Sequence, residues 1–385
     1  MRDLVIIGGK LQGLEACYLA KKAGISTVLI DKKTNPIAKR QADDFYQLDI
    51  TKESKRAVTI LKEAKLVLPA LENKEALNWL RENSERYGIN VAFDFKAYAI
   101  TSSKKRSDEL MTRIGLPVPQ YYPYGKPPYV AKPNDESGSK GVIKLKTQMD
   151  AEQFILQCKD IENWVIQEYI TGKAYSIEVI GKPGAYKTYG ITEIHVDKKY
   201  DCCKVTMPVE LTDFQKQQLA DMAVRIAEGI RLEGIMDVEA ILSSEGFKLL
   251  EIDARLPSQT PITVLHGTGI NMLNELIPLF IDKAKLNAKL NRIQYVAYEH
   301  FLVDGNGVEC FGEGILSRQK PVVIYNDFLE SDEVMTDYQK GDLFLIGTFI
   351  NKAQTERMLE NRRRNMMQAL YNLSYSLKGE NDEDN

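Results

Sequence analysis

Five charged side chains within residues 234–255 have a spacing that suits metal and phosphate chemistry. Two strand-like runs flank Ser244-Glu245-Gly246, and a glycine in the last position of a three-residue loop favours the left-handed turn that closes such hairpins. If Ser243 pairs with Phe247, side chains two residues apart along each strand project from one face. A bulge at the glycine would shift this register by one residue and break the arrangement. The residues that share the face are Asp237, Glu239, Glu251, Asp253 and Arg255.

The four acids of this hairpin repel one another unless a cation lies between them. Like charges directly opposite in a sheet are destabilising by up to ~1 kcal/mol per pair, and burial raises carboxylate pKa values further. Mg²⁺ relieves the repulsion, because it takes one or two carboxylates together with phosphate oxygens. The pattern therefore predicts a magnesium–nucleotide site at Glu239, Glu251 and Asp253. The alternative is a solvated sheet face, but the opposite face is continuously apolar.

One further side chain and one loop could contact a nucleotide. Arg255 could pair with Asp253, or it could brace a transferring phosphoryl group. The loop of residues 132–141, with sequence KPNDESGSKG, places small residues and Lys132 between two strand-like runs. Backbone N–H groups of such a loop can approach phosphate oxygens, although Ser/Gly loops without this role are common. It is not a Walker A motif, because the required glycine–lysine spacing is absent.

The elements that must position these groups begin with a βαβ unit. An apolar run at 4–7, a helix around 12–23 and a second strand at 26–31 predict a parallel sheet. Its Gly8-Gly9-Lys10 turn and the terminal Asp31 suit a ligand at a helix N-terminus, or simply a tight turn. Residues 129–181 read as short strands and turns. The sequence thus predicts an α/β domain followed by α+β structure, with a helix near 353–377.

Composition bounds the function. The chain has 385 residues, a formal net charge of −3 and five cysteines without metal-ligand spacing. A balanced charge gives no footprint for nucleic acid or an anionic membrane, and no segment has the length of a membrane span. The cysteines predict free thiols in a reducing compartment, so we expect a cytoplasmic protein. We interpret His195, His266 and His300 as structural.

Several motifs, taken together, resemble those of the ATP-grasp superfamily. Lys104 precedes a Gly-Leu-Pro-Val-Pro element by eleven residues, and Lys132 precedes a small-residue flap at 137–141. Residues 167–170, QEYI, are similar to the hinge that holds adenine in that family, although the hinge opens with Gln rather than Glu. The D-x-E and E-x-D-x-R patterns of the hairpin complete the set, with Asp253 where many members have Asn. These motifs span about residues 100–260.

The resemblance implies an ATP-grasp fold with an N-terminal Rossmann-like parallel-sheet domain. It places that first domain at 1–97, the ATP-grasp domain at 98–290 with a flap subdomain at about 118–181, and an α/β segment completing the substrate site at 291–378. We expect an acidic, disordered tail at 379–385. It implies ATP and Mg²⁺ as cofactors, Arg255 as the group that stabilises an acyl phosphate, and the three hairpin acids as metal ligands. The implied nucleotide contacts are Lys10, Asp31, Asp49, Ile50, Lys104, Lys132, Ser139, Gln167, Glu168, Tyr169 and Ile170.

A narrower similarity, over roughly residues 1–310, is to the ATP-grasp ligases of pyrrolysine biosynthesis. It implies that the carboxylate of 3-methyl-D-ornithine is joined to the ε-amine of L-lysine by a monomer or homodimer. Two cationic amino acids need acids outside the metal cluster. Glu72 and Glu178 are candidates for this role. Alternatively, Glu72 is an acid at a helix N-terminus, where the helix dipole favours it, and Glu178 is an exposed strand acid. The implied substrate contacts are Leu11, Gln12, Glu72, Glu178, Asp237, Pro257, Ser258, Gln259, Thr260 and Glu299.

Three other functions are compatible with parts of the sequence. A dipeptide or D-alanine–D-alanine type of ligase would use the same phosphate chemistry. An NAD(P)-dependent oxidoreductase could use the N-terminal βαβ unit, but no hydride-transfer residues accompany it. A non-catalytic nucleotide-binding regulator is disfavoured, because the complete acid set is retained.

Overall fold

The computed structural model describes residues 2–136, 138–281 and 293–383. Within these ranges the chain forms three sheets flanked by helices. The helices are α1 (Leu11–Lys22), α2 (Ser54–Lys62), α3 (Lys74–Tyr87), α4 (Phe95–Thr101), α5 (Lys104–Arg113), α6 (Gln148–Gln157), α7 (Asp213–Ile230), α8 (Thr260–Thr268), α9 (Met272–Phe280) and α10 (Glu356–Glu383). The strands are β1 (Arg2–Ile7), β2 (Thr27–Asp31), β3 (Asp44–Gln47), β4 (Ala64–Pro69), β5 (Tyr129–Pro133), β6 (Ile143–Leu145), β7 (Trp164–Glu168), β8 (Lys173–Lys182), β9 (Ala185–Val196), β10 (Cys202–Met207), β11 (Gly234–Ser243), β12 (Gly246–Asp253), β13 (Tyr295–Asp304), β14 (Gly307–Cys310), β15 (Val323–Phe328), β16 (Ser331–Thr336) and β17 (Phe344–Ala353).

The N-terminal sheet is parallel, in the order β3-β2-β1-β4, and it confirms the predicted βαβ opening. Its central strands are buried on both faces, as expected for a parallel sheet covered by helices. Beyond β4, Val91 adds a single parallel bridge to Val67. At the end of β1, Gly8 has φ +103°, and a Cβ there would lie 2.5 Å from the carbonyl oxygen of Ala70. Only glycine fits this turn into α1.

The largest sheet is antiparallel and carries most of the chemistry. Its strand order is β12-β11-β8-β9-β10-β13-β17-β16-β15, with β14 also paired to β13. Helix α7 packs its buried face, including Leu219, Ala223 and Ile226, against the apolar side of this sheet. A capping box between Thr212 and Gln215 fixes the start of α7. The opposite side of β8, β11 and β12 is therefore free to present polar residues.

A third sheet, β6-β5-β7, lies within the segment predicted as the flap subdomain, and α6 packs on it. Its core contains Tyr129, Ala131 and Ile166. The last helix, α10, covers β13 and β17 and extends to Glu383. Residues 379–383, predicted as a disordered tail, thus lie in this helix, while residues 384–385 lie outside the described residues, as do Ser137 of the flap and 282–290 of the predicted ATP-grasp domain.

Candidate active site

The hairpin of β11 and β12 brings its acids together in the predicted pairs. Asp237 lies opposite Asp253, and Glu239 lies opposite Glu251. The predicted loop register was wrong, because Ser243 pairs with Gly246 and the loop has two residues. A bulge between Glu239 and Ala240 then inserts one extra residue into β12 and restores the acid pairing. Two departures from the simple register therefore cancel at the site.

A third strand extends this acidic face. In β8, Glu178 pairs with Asp237, and Ser176 pairs with Glu239. Paired residues in adjacent strands share a face, so Glu178, Asp237 and Asp253 form one row across three strands. Both carboxylate oxygens of Glu178 are buried without a cationic partner among the described residues, and burial, partly offset by the nearby Thr260 hydroxyl, raises the pKa of Glu178 to about 7. Such a carboxylate is suited to receive a cationic ligand.

Burial and mutual repulsion perturb the hairpin acids. Burial, reinforced by Glu251 and Asp253, raises the pKa of Glu239 to about 8. Burial also raises the pKa of Asp253 well above its ordinary range, against the attraction of Arg255. The ammonium of Lys104 lies 2.9 Å from Glu251 Oε1 and partly compensates the negative charge. Burial alone would lower the pKa of Lys104, but Glu251 outweighs it and raises that pKa.

The oxygen donors of Glu239, Glu251 and Asp253 fit a hard divalent cation whose shell other ligands complete. Within the described ranges, no group of three His, Cys, Asp or Glu side chains could hold a metal ion by itself. A magnesium ion in an ATP-dependent enzyme requires no such cage, because it keeps waters and phosphate oxygens alongside one or two carboxylates. The raised pKa of Glu239 agrees with this, since a cation would relieve the repulsion.

Arg255 continues the acidic face and is almost enclosed. Its Nη2 donates to Asp253 Oδ2 at 3.0 Å, and its Nε lies 2.8 Å from Glu72 Oε1. Gln12 Nε2 donates to the same Glu72 oxygen at 2.7 Å. Only 12% of the Arg255 side chain is exposed, so its guanidinium is held in a fixed orientation. The structure shows the pairing of Arg255 with Asp253. Because an arginine paired on one side can still present its remaining N–H groups to a ligand, the phosphoryl contact stays a prediction.

A cavity of about 640 Å³ lies beside Arg255, between the N-terminal sheet, the flap tip and residues 313–319. A smaller one, of about 50 Å³, shares Glu72 with it and is also lined by Lys104, Glu251 and Asp253. Glu72 thus stands between the two cavities. The structure brings nine predicted site residues to the larger cavity: Lys10, Leu11, Gln12, Asp31, Asp49, Ile50, Glu72, Arg255 and Ser258.

Two of these residues also fix the cavity wall. Asp31 accepts hydrogen bonds from the backbone N–H groups of Gly9 and Lys33, both at 2.7 Å. Asp49 accepts the Thr51 hydroxyl at 2.7 Å, which together with the Thr51 N–H lowers the pKa of Asp49. Both carboxylates therefore shape loops at the carboxyl ends of the parallel strands, where ligands bind in such sheets.

The flap sheet presents a second group of predicted residues. Val130 pairs with Gln167 and Lys132 pairs with Val165, so Lys132 and Gln167 lie on one face. Burial lowers the pKa of Lys132, which suits a lysine awaiting an anionic partner. Ser139 donates its hydroxyl to the carbonyl of Tyr200 at 2.5 Å, which joins the flap to the turn before β10.

The rest of the predicted hinge lies at the end of β7. Glu168 Oε1 accepts the backbone N–H of Gln120 at 2.9 Å. The Lys144 ammonium lies 3.5 Å from the centre of the Tyr169 ring. Ile170 is half-buried. These contacts connect the hinge to the segment before β5 and to β6.

Sequence reasoning missed two acids that hold the Pro257–Thr260 loop. Glu15 of α1 accepts the backbone N–H groups of Gln259 and Ile262, and Glu313 accepts from Ser258 and Gln259 side chains. The signal for Glu15 was its place among Leu14, Ala16 and Cys17 in an otherwise apolar helical run. Glu313 follows Gly312 without any comparable pattern.

Glu299, a predicted substrate contact, is not brought to either cavity. Its two carboxylate oxygens accept from Arg363 Nε and Nη2, both at 2.7 Å. The side chain of Glu299 is only 2% exposed. Sequence alone gave no reason to pair a strand acid with an arginine on a helix sixty-four residues later. The five cysteines are free, as predicted.

Comparison with known proteins assigns the fold and the relatives of this chain. Residues 101–259 match the model of the ATP-grasp domain. The chain is 36% identical over 347 residues to the 3-methyl-D-ornithine–L-lysine ligase of Methanosarcina barkeri, covering 89% of this chain and 90% of that protein. It is 38% identical over 320 residues to the ligase of the same name from Methanosarcina acetivorans, covering 82% and 84%.

One solved structure with the same fold is the biotin carboxylase domain of Hydrogenobacter thermophilus 2-oxoglutarate carboxylase, determined with MgADP, ADP and bicarbonate. It superimposes with a TM-score of 0.71 at 16% identity, covering 95% of this chain and 89% of that one. At this identity the likeness shows the fold alone. In the described part of the chain, no helix has the length and apolar character needed to cross a membrane.

Proposed function

Because this chain belongs to the family of 3-methyl-D-ornithine–L-lysine ligases and carries an ATP-grasp domain, we propose that it joins the carboxylate of 3-methyl-D-ornithine to the ε-amine of L-lysine in pyrrolysine biosynthesis. A carboxylate oxygen attacks the γ-phosphorus of ATP and ADP leaves. The amine nitrogen then attacks the acyl carbon, and phosphate leaves as the amide forms. The observation that carries the proposal is the row of buried acids that leads to Arg255 beside a cavity.

The phosphate end of the nucleotide is assigned to three cationic groups. Lys104 and Lys132 hold the phosphates, and Arg255 stabilises the negative charge that develops on the acyl phosphate. Glu239, Glu251 and Asp253 would hold Mg²⁺. That ion, when bound, neutralises the transferring phosphoryl group. Arg255 is suited to its role because Asp253 and Glu72 fix its guanidinium before the reaction begins.

The two amino acids are assigned to different acids. We place the ornithine-type substrate against Glu178, Asp237 and the Pro257–Thr260 loop, because Glu178 is a buried carboxylate without a cationic partner in the described part of the chain. We place L-lysine against Glu72, Leu11 and Gln12, on the wall of the larger cavity. Arg255 then stands where the two substrates meet. A basic amino acid needs a carboxylate of this kind to compensate the ammonium that it carries into a desolvated site.

The flap and the nucleoside contacts complete the proposal. The flap residues 138–141 exclude water, which would otherwise hydrolyse the acyl phosphate. Residues Gln167 to Ile170 contact the adenine and ribose. Lys10, Asp31, Asp49, Ile50 and Ser139 remain predicted nucleotide contacts.

We also propose a cytoplasmic protein that acts as a monomer or homodimer without nucleic acid. The net charge of −3 and the free cysteines support this proposal. Its partners are then small molecules alone.

The test is mass spectrometry of the product formed from 3-methyl-D-ornithine, L-lysine and ATP. We expect a product whose mass is the sum of the two amino acids less one water, with one ADP released per product. A coupled ADP-release assay over other amino-acid pairs provides the comparison. If a different pair turns over and this one does not, the chain is another carboxylate–amine ligase, such as a dipeptide or D-alanine–D-alanine type.

A further inference from the structure

A buried pair outside the acidic hairpin controls one side chain of the hinge. Gln167, which is 1% exposed, donates through Nε2 to Asp108 Oδ2 at 2.6 Å. The hydroxyl of Tyr121 donates to the same oxygen at 2.7 Å. On the other branch of the amide, Gln167 Oε1 is buried and has no hydrogen-bond partner among the described residues. A buried acceptor in this state lacks a donor that a ligand could supply.

The chemistry of Asp108 decides which way the amide of Gln167 points. An ionised carboxylate only accepts hydrogen bonds, so the NH₂ group of Gln167 must face it and the carbonyl oxygen must face away. A free glutamine side chain has no such preference, since its two ends are nearly equal in shape. In the described structure, Asp108 therefore fixes the amide of Gln167 in the orientation that leaves its carbonyl oxygen available as an acceptor.

The position of Gln167 indicates which ligand could donate to that acceptor. Gln167 of β7 pairs with Val130 of β5, and Lys132 lies two residues further along β5. Gln167 and Lys132 therefore lie on the same face of the flap sheet. A nucleotide spanning these two groups would set its phosphates at Lys132 and its base at Gln167. Adenine carries a donor, the 6-amino group, where guanine carries the O6 acceptor.

We propose that Asp108 is a positioning residue that selects adenine over guanine by fixing the carbonyl oxygen of Gln167 toward the 6-amino group of ATP. This inference rests on the proposed use of ATP, but it does not depend on which amino acids are joined. It also explains how the hinge can begin with Gln167 where the ATP-grasp pattern has Glu. Asp108 makes the amide present the same acceptor that a glutamate would.

The experiment exchanges the carboxylate of Asp108 and the amide of Gln167, first singly and then together. The dissociation constants of non-hydrolysable ATP and GTP analogues are measured by calorimetry on the full chain, without amino acids. Asp108→Asn should lower the preference for the ATP analogue by about tenfold, the effect of one buried hydrogen bond, because the Asn–Gln pair can form in either orientation. Gln167→Glu should also weaken the ATP analogue, since it places two carboxylates in contact. The double variant Asp108→Asn/Gln167→Glu should recover the preference, because the asparagine amide then donates to the glutamate.

The ratio of the dissociation constants of the two analogues isolates the contribution of the base to binding. Asp108 is also close enough to Lys132 for its charge to matter, but a change at Lys132 acts equally on both triphosphates. Tyr121→Phe is the matched control, because it removes the other donor to Asp108 and should leave the ratio within about twofold. Thermal melting shows that each variant is folded.

Two results would overturn the inference. One is an unchanged ratio in folded Asp108→Asn, and the other is a double variant no better than the worse single variant. A chain that fails to ligate the two amino acids, but whose preference for the ATP analogue is lost in Asp108→Asn and recovered in the double variant, would contradict the proposed function and support the role of Asp108.

Discussion

The backbone N–H of Gln259 donates to the buried carboxylate of Glu15 at 3.0 Å, across 244 residues of sequence. The N–H of Ile262 donates to the other carboxylate oxygen at 2.8 Å. These two donors belong to the start of α8, where orphan N–H groups need acceptors. A side chain of the N-terminal domain thus caps the helix that follows the Arg255 loop and fixes Gln259 at φ +71°.

Replacing Glu15 with Gln should change how stability depends on pH. Burial raises the pKa of Glu15 from 4.5 to about 8. Its contribution to the free energy of unfolding is therefore fully present below about pH 4.5 and is lost as pH rises to about 8, because the folded state retains a proton that the unfolded state releases. Glutamine cannot ionise, so Glu15→Gln should gain stability relative to wild type over this range, by on the order of a few kcal/mol.

Thermal or urea denaturation at pH 5, 6, 7 and 8 measures this difference. A constant offset between the two proteins would show that Glu15 does not titrate in the window. Glu53→Gln is a matched control, because that carboxylate is exposed and forms a surface pair with Arg56.

Glu251→Gln should raise the Mg²⁺ concentration needed for half-maximal ADP formation by about 10- to 100-fold. The change removes one carboxylate charge from the acidic face and leaves its volume nearly constant. It also weakens the contact with Lys104. The assay is ADP release titrated with MgCl₂ at fixed ATP. Glu275→Gln, at a buried acid that accepts from Tyr189, is the control and should leave the Mg²⁺ requirement unchanged. Equal Mg²⁺ curves for wild type and Glu251→Gln would remove this residue from the metal site.

The acidic face of the hairpin could be predicted from sequence, because period-two spacing and the short turn constrain side-chain direction. The loop register could not be predicted, and neither could the bulge between Glu239 and Ala240 that offsets it. Both depend on backbone preferences that two or three turn residues leave nearly equal in energy. The prediction of acid pairing held because the apolar face of the hairpin packs against α4 and α5, which fixes the register from the other side.

Side-chain partners from distant segments were beyond sequence reasoning. Glu299 alternates along β13 as a functional acid would, yet Arg363 of α10 binds it on both oxygens. Glu15 lies within an apolar helical run, and its partners are backbone groups that leave no trace in composition. Pairings of this type depend on tertiary packing, which local periodicity does not contain.

Arg255→Lys should lower kcat by about 100-fold or more while the KM for ATP changes little. A lysine keeps the charge but lacks the planar fork that contacts Asp253 and Glu72 together. The lost interaction develops in the transition state, so it appears in kcat. Steady-state ADP release with both amino acids measures it. The control is Arg363→Lys, which changes another bidentate pair outside the two cavities and should act mainly on thermal stability. If both variants lose kcat to the same extent, Arg255 has no special part in the chemistry.

Gly312→Ala should weaken binding of the amino-acid substrates, because residue 312 has no space for a side chain. A Cβ there would lie 2.2 Å from Cβ and Cγ of Asp201. Asp201 Oδ2 accepts the backbone N–H of Gly314 at 3.0 Å, and between these glycines Glu313 accepts from Ser258. Displacing Asp201 therefore loosens Glu313 and the loop that it holds, at a cost of about 1–3 kcal/mol for overpacking.

Gly229→Ala provides the contrast. Gly229 lies in α7, where an added Cβ would make ordinary contacts of 3.5 Å and 3.6 Å with Ile114 and Leu110. That variant should be more stable by about 0.5–1 kcal/mol, because alanine loses less backbone entropy in a helix. Denaturation of both variants, with the KM for each amino acid, separates steric displacement from a general effect of adding a methyl group. If Gly312→Ala keeps wild-type stability and KM, Asp201 moves without consequence and the loop is held by Glu15 alone.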